Sequence, residues 1–169
     1  FRRLRRINES HPLKQGDMKA DYVDCHSGNV GQRVGSLVYM DASRVDPNRS
    51  SSCSVGLHVA TLGYLSSFGG DVTIIGAVRP EDVITVPHRE HTKVRVSAYR
   101  ILAELPNDLR DHVNSGKSLS DSEVGANLLH KAITGAFPEP NQHVYITGNQ
   151  GASVTYKDLD QVGEVEASE

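Results

Sequence analysis

Residues 71–78 have the sequence DVTIIGAV, and residues 93–102 have the sequence KVRVSAYRIL. The first run is apolar and rich in β-branched residues, which predicts a buried central strand. The second run alternates between two sides, which predicts a half-buried strand with Val94, Val96 and Ala98 on one face. These two strands predict a protein that is built around a β-sheet.

Turns and further strands surround this pair throughout residues 1–105. The other predicted strands of this part are short and bounded by turn residues, and they lie at 22–23, 34–40, 55–60 and 83–86. A short helix is expected over 62–68, because Thr61 can cap its start and Gly69 can end it. The predicted fold class is therefore α+β, with a mixed, mostly antiparallel sheet and a short packed helix.

Residues 106–169 have a different pattern and predict a helix-plus-hairpin appendage. A capping box at 120–123 opens a helix that continues to about residue 134, with an apolar stripe that includes Val124 and Ile133. A β-hairpin with strands at 143–147 and 152–156 follows, and the acidic tail over 163–169 is expected to fray. We therefore expect one β-rich domain over 1–105 and this appendage over 106–169.

Composition excludes several classes of protein. The chain has 169 residues, 37% of them hydrophobic and 23% charged, which is unlike a disordered chain or a coiled coil. The net charge is −3, so general nucleic-acid binding is not expected. No apolar run approaches 18 residues, so we expect no membrane span.

The cysteine count and the first residue give two smaller indications. Cys25 and Cys53 are too few for a disulfide framework, which favours free thiols in a reducing compartment. The chain starts at Phe1 rather than methionine. We therefore expect a processed product, a trimmed chain or the ordered part of something longer.

Four arginines, Arg2, Arg3, Arg5 and Arg6, are clustered at the start of the chain. The apolar residues between and beside them fit a strand or a short helix about equally well. Such a cluster is a candidate interaction surface for phosphate or for an acidic partner. The interpretation we favour is a solvated edge strand that its charges protect from aggregation.

Four residues from two segments carry atoms that bind zinc: Asp24, His26, Cys53 and His58. The spacing lacks a C-x-x-C knuckle, so we expect no metal and no other cofactor. A nucleophilic pair of Cys53 with His58 is conceivable, because a thiol becomes reactive beside a base. The sequence indicates no third group to orient such a pair, so we do not expect an enzyme.

Two short elements are similar to those of ADP-ribosyltransferases. His26-Ser27-Gly28 resembles their His-x-Gly element, and residues 56–59 resemble their Gly-x-x-aromatic element. The usual aromatic residues and a catalytic glutamate are not evident at the expected places. This activity is therefore a weaker alternative.

Six segments together resemble one protein family. In chain order they are YVDCHSG at 22–28, DPNR at 46–49, CSVGLHV at 53–59, FGGD at 68–71, PEDV at 80–83 and HTKVR at 91–95. In order and approximate spacing these segments are similar to the rIIB-like proteins of tailed bacteriophages, which are often labelled lysis-inhibition accessory proteins. The resemblance covers about residues 1–105, and Cys-Ser-x-Gly-Leu-His is its most specific part.

The resemblance implies which residues form the site and what the protein does. The family-motif cluster comprises Asp24, His26, Gly28, Cys53, Gly56, His58 and Arg95. We expect these residues to be structural, with the two histidines hydrogen-bonded to loop backbone or to Asp24. The implied function is that of a non-enzymatic accessory protein in the host cytoplasm, which associates with itself and with other phage or host proteins. A structural or decoration component of the virion is the alternative.

Overall fold

The structure is a computed structural model, and it describes residues 1–15, 19–65, 69–148 and 153–159. Within these residues the chain forms an eight-stranded sheet, a three-stranded sheet and three α-helices. The strands are β1 (Arg2–Arg6), β2 (Tyr22–Asp24), β3 (Gly31–Gln32), β4 (Ser36–Met40), β5 (Leu57–Ala60), β6 (Val72–Ala77), β7 (Val83–Thr85), β8 (Lys93–Val96), β9 (Ala98–Glu104), β10 (Gln142–Ile146) and β11 (Val154–Asp158). The helices are α1 (Leu62–Leu65), α2 (Asn107–Asn114) and α3 (Glu123–Thr134). The predicted α+β class is confirmed.

The larger sheet has the strand order β11-β10-β4-β9-β6-β1-β2-β3. Its neighbours are antiparallel except for β4 and β10, which are parallel. The mixed, mostly antiparallel sheet is therefore confirmed. Strand β6, which holds the apolar run at 71–78, lies in the middle of this sheet between β9 and β1.

Side chains connect the two outermost strands of the larger sheet, β3 and β11. The Tyr156 hydroxyl accepts a hydrogen bond from the Gly31 amide at 2.8 Å. The Arg33 guanidinium forms an ion pair with Asp158 at 3.3 Å. The sheet therefore curls until its edges approach each other, and its concave face encloses a core that includes Leu4, Val38, Ile74, Tyr99 and Val144.

The other face of β6 and β9 is also covered. Ile75 and Leu102 pack with Leu109 and Val113 of α2, and with partly buried residues of α3. Both faces of these strands are buried, and in β8 Lys93, Arg95 and Val96 are buried as well. The expectation of a half-buried strand over 93–102 is therefore wrong.

Residues 93–102 form two strands rather than one, and they divide at Ser97. The Ser97 amide donates to the Asp82 carbonyl at 2.9 Å, and its carbonyl accepts from the Met40 amide at 2.9 Å. Strand β8 therefore belongs to the three-stranded sheet, whose order is β5-β8-β7, and β9 belongs to the larger sheet. Side-chain alternation continues through Ser97, so the sequence pattern does not reveal this change of sheet.

The C-terminal hairpin continues the larger sheet, since β10 pairs with β4. Val144 is fully buried, and Ile146 is 7% exposed. The sequence-based division at residue 105 stays a prediction. The hairpin, however, is part of the same sheet as strands from residues 1–105. The turn at 149–152 and the tail at 163–169 lie outside the described residues.

Helix α3 differs in detail from its prediction. Its N-cap is Ser122, whose hydroxyl accepts from the Gly125 amide at 3.0 Å, whereas Ser118 caps the preceding 3₁₀ turn. Gly135 ends the helix in the left-handed conformation, with φ 69°. Helix α1 covers Leu62–Leu65, and the remainder of the predicted helix, 66–68, lies outside the described residues. Among the described residues, no helix is long and apolar enough to cross a membrane.

Candidate functional site

A cavity of about 540 Å³ opens between the larger sheet and strand β5. Its lining includes five residues of the family-motif cluster: Asp24, His26, Cys53, Gly56 and His58. Asp24 ends β2 and His26 lies in the loop after it, whereas Cys53 and Gly56 precede β5 and His58 lies within it. The structure therefore brings together residues that are about 30 positions apart in the sequence.

Asp24 ends β2, and its carboxylate holds the loop that follows. It accepts hydrogen bonds from the Ser27 amide at 2.6 Å, the Ser27 hydroxyl at 2.9 Å and the Val30 amide at 3.0 Å. Burial acts to raise the pKa of Asp24, but the hydrogen bonds from Ser27 and Val30 outweigh it and hold this pKa below its ordinary value. Gly28, with φ 71°, completes the turn and does not line the cavity.

His26 lies at the rim of the cavity and is exposed. No hydrogen bond of His26 is found within the described part of the chain, so the expected contact with Asp24 or with loop backbone is not formed. The Asp24 oxygens are occupied by Ser27 and Val30 instead. His26 therefore contributes an imidazole to the rim and no visible support to the loop.

Arg95 lies behind the cavity wall and is fully buried. Its guanidinium donates to the carbonyls of Asp46 at 2.6 Å and Ser51 at 2.6 Å, and to that of Asn48 at 3.3 Å. The serine-rich loop over 46–54 is therefore held from inside by one side chain. Of the predicted cluster, Arg95 and Gly28 are the two residues that do not line the cavity.

Gly56 is required by the path of the Arg95 side chain. A Cβ at position 56 would lie 2.6 Å from Arg95 Cγ and 2.9 Å from Val45 Cγ1, and the backbone has φ 147°. Both the close approach and the positive φ favour glycine at this position. The motif glycine and the motif arginine thus form one packing unit.

His58 pairs with Arg95 across the ladder between β5 and β8. Arg95 Nε donates to His58 Nε2 at 3.4 Å, so this ring nitrogen carries no proton. Burial, followed by the charges of Lys93 and Arg2, lowers the pKa of His58 to about 4. His58 is therefore a neutral imidazole near pH 7.

Cys53 is exposed, and its nearest polar partner is Lys93 rather than His58. The Lys93 ammonium donates to Cys53 Sγ at 3.3 Å and to the Tyr64 hydroxyl at 3.0 Å. No hydrogen bond joins Cys53 to His58 among the described residues. The Cys53/His58 nucleophilic pair considered from the sequence therefore has no geometric support.

A shared metal site has little support from the same geometry. The described residues contain no group of three or more His, Cys, Asp or Glu side chains placed to hold a metal ion. Each of three candidate ligands already receives a hydrogen bond: Asp24 from Ser27, His58 from Arg95 and Cys53 from Lys93. A metal would have to displace all of these donors.

The arginine cluster does not form an edge strand, because β1 lies between β6 and β2. The preference for a solvated edge strand is therefore wrong. Arg2 donates to the His58 carbonyl at 2.6 Å and lies over the Tyr99 ring at 4.9 Å. Arg3 donates to the Gly70 carbonyl at 2.8 Å. Arg5 and Arg6 are exposed, and Arg6 forms an ion pair with Glu104.

The sequence did not predict two parts of the cavity lining, Lys93 and the apolar floor. Lys93 stands opposite Ala60 in the β5–β8 ladder and is only 3% exposed. The floor is formed by side chains of the core, among them Val38, Met40 and Tyr99. The signal for Lys93 was its position two residues before Arg95, which places both cations on one face of a strand.

Comparison with known proteins identifies the class of protein to which this fold and cavity belong. The family model for bacteriophage T4 protein rIIB matches residues 14–113. The chain therefore belongs to the rIIB family of phage proteins, and the resemblance found in the sequence is confirmed. The match starts later than the expected range of about 1–105 and continues into α2.

A curated relative is similar to this chain over about half of its length. Protein rIIB of Enterobacteria phage T4 is 30% identical over 91 residues, which is 52% of this chain and 29% of the T4 protein. The chain thus spans less than a third of that relative's length. No solved structure matches the chain.

Proposed function

We propose that this phage protein delays lysis of the infected cell by associating with other proteins, itself included, and that it catalyses no reaction. This is the accessory role that the resemblance to rIIB-like proteins implies. The host cytoplasm during infection is the compartment in which we expect it to act.

The arrangement of the family-motif cluster is the observation that supports this proposal. General acid–base and nucleophilic catalysis need a free acid or base beside the reacting group. Here the Asp24 carboxylate holds its own loop, and the Arg95 guanidinium holds the loop over 46–54. His58 accepts from Arg95 and has its pKa lowered to about 4, well below the pH at which a general base is effective. Asp24 and Arg95 are thus arranged to maintain the shape of two loops, whereas His26 and Cys53 are exposed at the cavity.

Self-association is part of the proposal, and the buried hairpin restricts where it can occur. Val144 and Ile146 of the hairpin lie in the core, so they do not form a contact surface. Val124 and Ile133 of α3 are 61% and 76% exposed, and their separation of nine residues places them on opposite sides of the helix. They therefore do not form one continuous stripe.

Light scattering of the purified chain tests self-association. We expect a mass that is a multiple of 18.4 kDa and that falls on dilution. A monomer mass throughout a wide concentration range would remove self-association from the proposal.

Mass spectrometry of infected cells tests the accessory role against the virion alternative. Washed particles and the lysate of the same infection would be quantified side by side. We expect the protein to be abundant in the lysate and absent from the particles. Many copies in each washed particle would establish a virion component and contradict the accessory role.

A further inference from the structure

The lining of the cavity has an excess of positive charge, although the chain as a whole has a net charge of −3. Three cationic side chains line it, those of Arg2, Arg3 and Lys93, and one carboxylate, that of Asp24. The Asp24 carboxylate is turned into its own loop by hydrogen bonds from Ser27 and Val30. An anion that enters the cavity therefore faces three cationic side chains. The one carboxylate of the lining is already hydrogen-bonded within its own loop.

Lys93 and Arg2 are two of the three cations that line the cavity. Lys93 is 3% exposed, and no carboxylate pairs with it among the described residues. Its partners are the hydroxyl of Tyr64 and the thiol of Cys53. Arg2 has a buried Nε with no hydrogen-bond partner. An anionic head beside Lys93 would supply the ion pair that this cation lacks among the described residues.

Both cations lie beside strand β5 in the same cavity. Lys93 stands opposite Ala60 in the β5–β8 ladder. Arg2 donates to the carbonyl of His58, two residues before Ala60, at 2.6 Å. An anionic head at this part of the cavity therefore lies near both cations.

The floor of the cavity is mostly apolar, and its polar side chains, Tyr99 and Gln32, are hydrogen-bonded to each other. Val38, Met40, Leu57 and Ile146 line it together with Tyr99, whose hydroxyl donates to Gln32. None of these floor side chains holds a buried polar atom without a partner. A nucleobase or a sugar would leave its own polar groups unpaired on such a floor, whereas an aliphatic chain would not. The volume of about 540 Å³ falls within the usual range of about 300–1,000 Å³ for small-molecule sites.

We propose that this cavity binds a single-chain aliphatic anion, either a fatty acid or a monoalkyl phosphate. The chain lies against Met40, Leu57 and Ile146, which keep a small exposed area, and the anionic head contacts Lys93 and Arg2 beside His58. Apolar contact supplies most of the affinity, and the cations select a charged head over a neutral one. This ligand site does not depend on the association proposed above, so either can fail while the other stands.

Calorimetric titration of the purified chain tests this site with four probes. Decanoate and decyl phosphate are used below their critical micelle concentrations, with 1-decanol and inorganic phosphate for comparison. We expect one decanoate or decyl phosphate per chain, with at least tenfold weaker binding of both comparison probes. Tighter binding of decanoate indicates that the natural ligand is a fatty acid, and tighter binding of decyl phosphate indicates that it is a phospholipid fragment. Absence of binding by both anions, or equal binding of 1-decanol, would overturn the proposal.

Variants show whether binding uses the cations named here. Lys93→Gln and Arg2→Gln should each weaken decanoate binding at least tenfold. Arg5 is exposed and lies on the same strand as Arg2, and Arg5→Gln should leave the binding unchanged. Equal affinity of all three variants for decanoate would contradict the proposed role of the two cations.

A second measurement uses the unmodified chain, because Lys93 is buried and the Lys93→Gln variant can fail to fold. Saturating decanoate should slow alkylation of Cys53, which lines the cavity, and an unchanged rate would also overturn the proposal.

Discussion

Arg95 Nε donates a hydrogen bond to His58 Nε2 at 3.4 Å, across adjacent strands of the smaller sheet. The arginine also holds three carbonyls of the loop over 46–54, and the histidine faces the cavity on the same side of the sheet. Two segments of the family pattern, CSVGLHV and HTKVR, therefore meet at this contact. In this chain the two segments form one structural unit, from which the following predictions are drawn.

The lowered pKa of His58 should make the folded chain less stable in mild acid. The unfolded chain binds a proton at His58 from about pH 6.5 downward, whereas the folded chain binds it only near pH 4. Stability is therefore lost as the pH falls from 6.5 towards 4, and this residue has no effect above that window. We expect a loss of about 2 kcal/mol from His58, with allowance for its partial exposure.

Urea unfolding at several pH values measures this effect. His58→Gln should reduce the dependence on pH between 6.5 and 4, while His130→Gln, at an exposed position of α3, should retain it. The same pH dependence in the chain with native His58 and in the His58→Gln variant would contradict a lowered pKa.

Replacement of Arg95 should release the loop over 46–54. Arg95→Met leaves the carbonyls of Asp46 and Ser51 without their donor in a partly buried site, and we expect a loss of about 3 kcal/mol or more. Arg79→Met is the matched control, because the Arg79 side chain is 71% exposed and forms only local ion pairs, with Glu81 and Asp82. That change should cost about 0.5 kcal/mol. Equal losses in denaturant unfolding would show that Arg95 does not hold the loop.

A methyl group at position 56 should be poorly tolerated. Gly56→Ala places a Cβ 2.6 Å from Arg95 Cγ on a backbone with φ 147°, and we expect a loss of about 2–3 kcal/mol. A Cβ at Gly69 meets nothing within 4 Å, so Gly69→Ala should change stability by less than about 0.5 kcal/mol. Thermal unfolding of the two variants compares them directly, and indistinguishable midpoints would refute the packing of Gly56 against Arg95.

The purified protein should contain no stoichiometric zinc. The candidate ligands Asp24, Cys53 and His58 each accept a hydrogen bond from another donor, so a metal would have to displace all three. Elemental analysis measures the zinc content. Zinc at one atom per chain that Cys53→Ser removes would contradict this prediction.

The sequence predicted the main strands because their patterns are local. Continuous apolar residues over 71–78 mark a strand with both faces covered, and this is what β6 is. The change of sheet at Ser97 was not predictable, because a side-chain pattern shows which face a residue occupies but not which sheet it joins. The central position of β1 and the parallel pairing of β10 with β4 depend on contacts between distant segments, which have no local signature.

The candidate site was predictable to a similar degree. The family pattern predicted that Asp24, His26, Cys53, Gly56 and His58 lie together, and all five line the cavity, which was not itself predicted. The role of Arg95 as a brace for three carbonyls depends on the loop's path, which residue types alone do not define. Lys93 was missed because a lysine on a strand normally indicates a solvated face, and here it is buried.

The timing of lysis in an infected culture tests the central proposal, an accessory role without catalysis, most directly. His26→Gln and Cys53→Ser would be combined in the phage's own gene, because both side chains are exposed at the cavity and neither holds a loop. If the protein acts by association alone, the double variant should accumulate normally and delay lysis as long as the native protein does. Early lysis with normal accumulation of a folded double variant would contradict the proposal and indicate that these groups carry out a reaction.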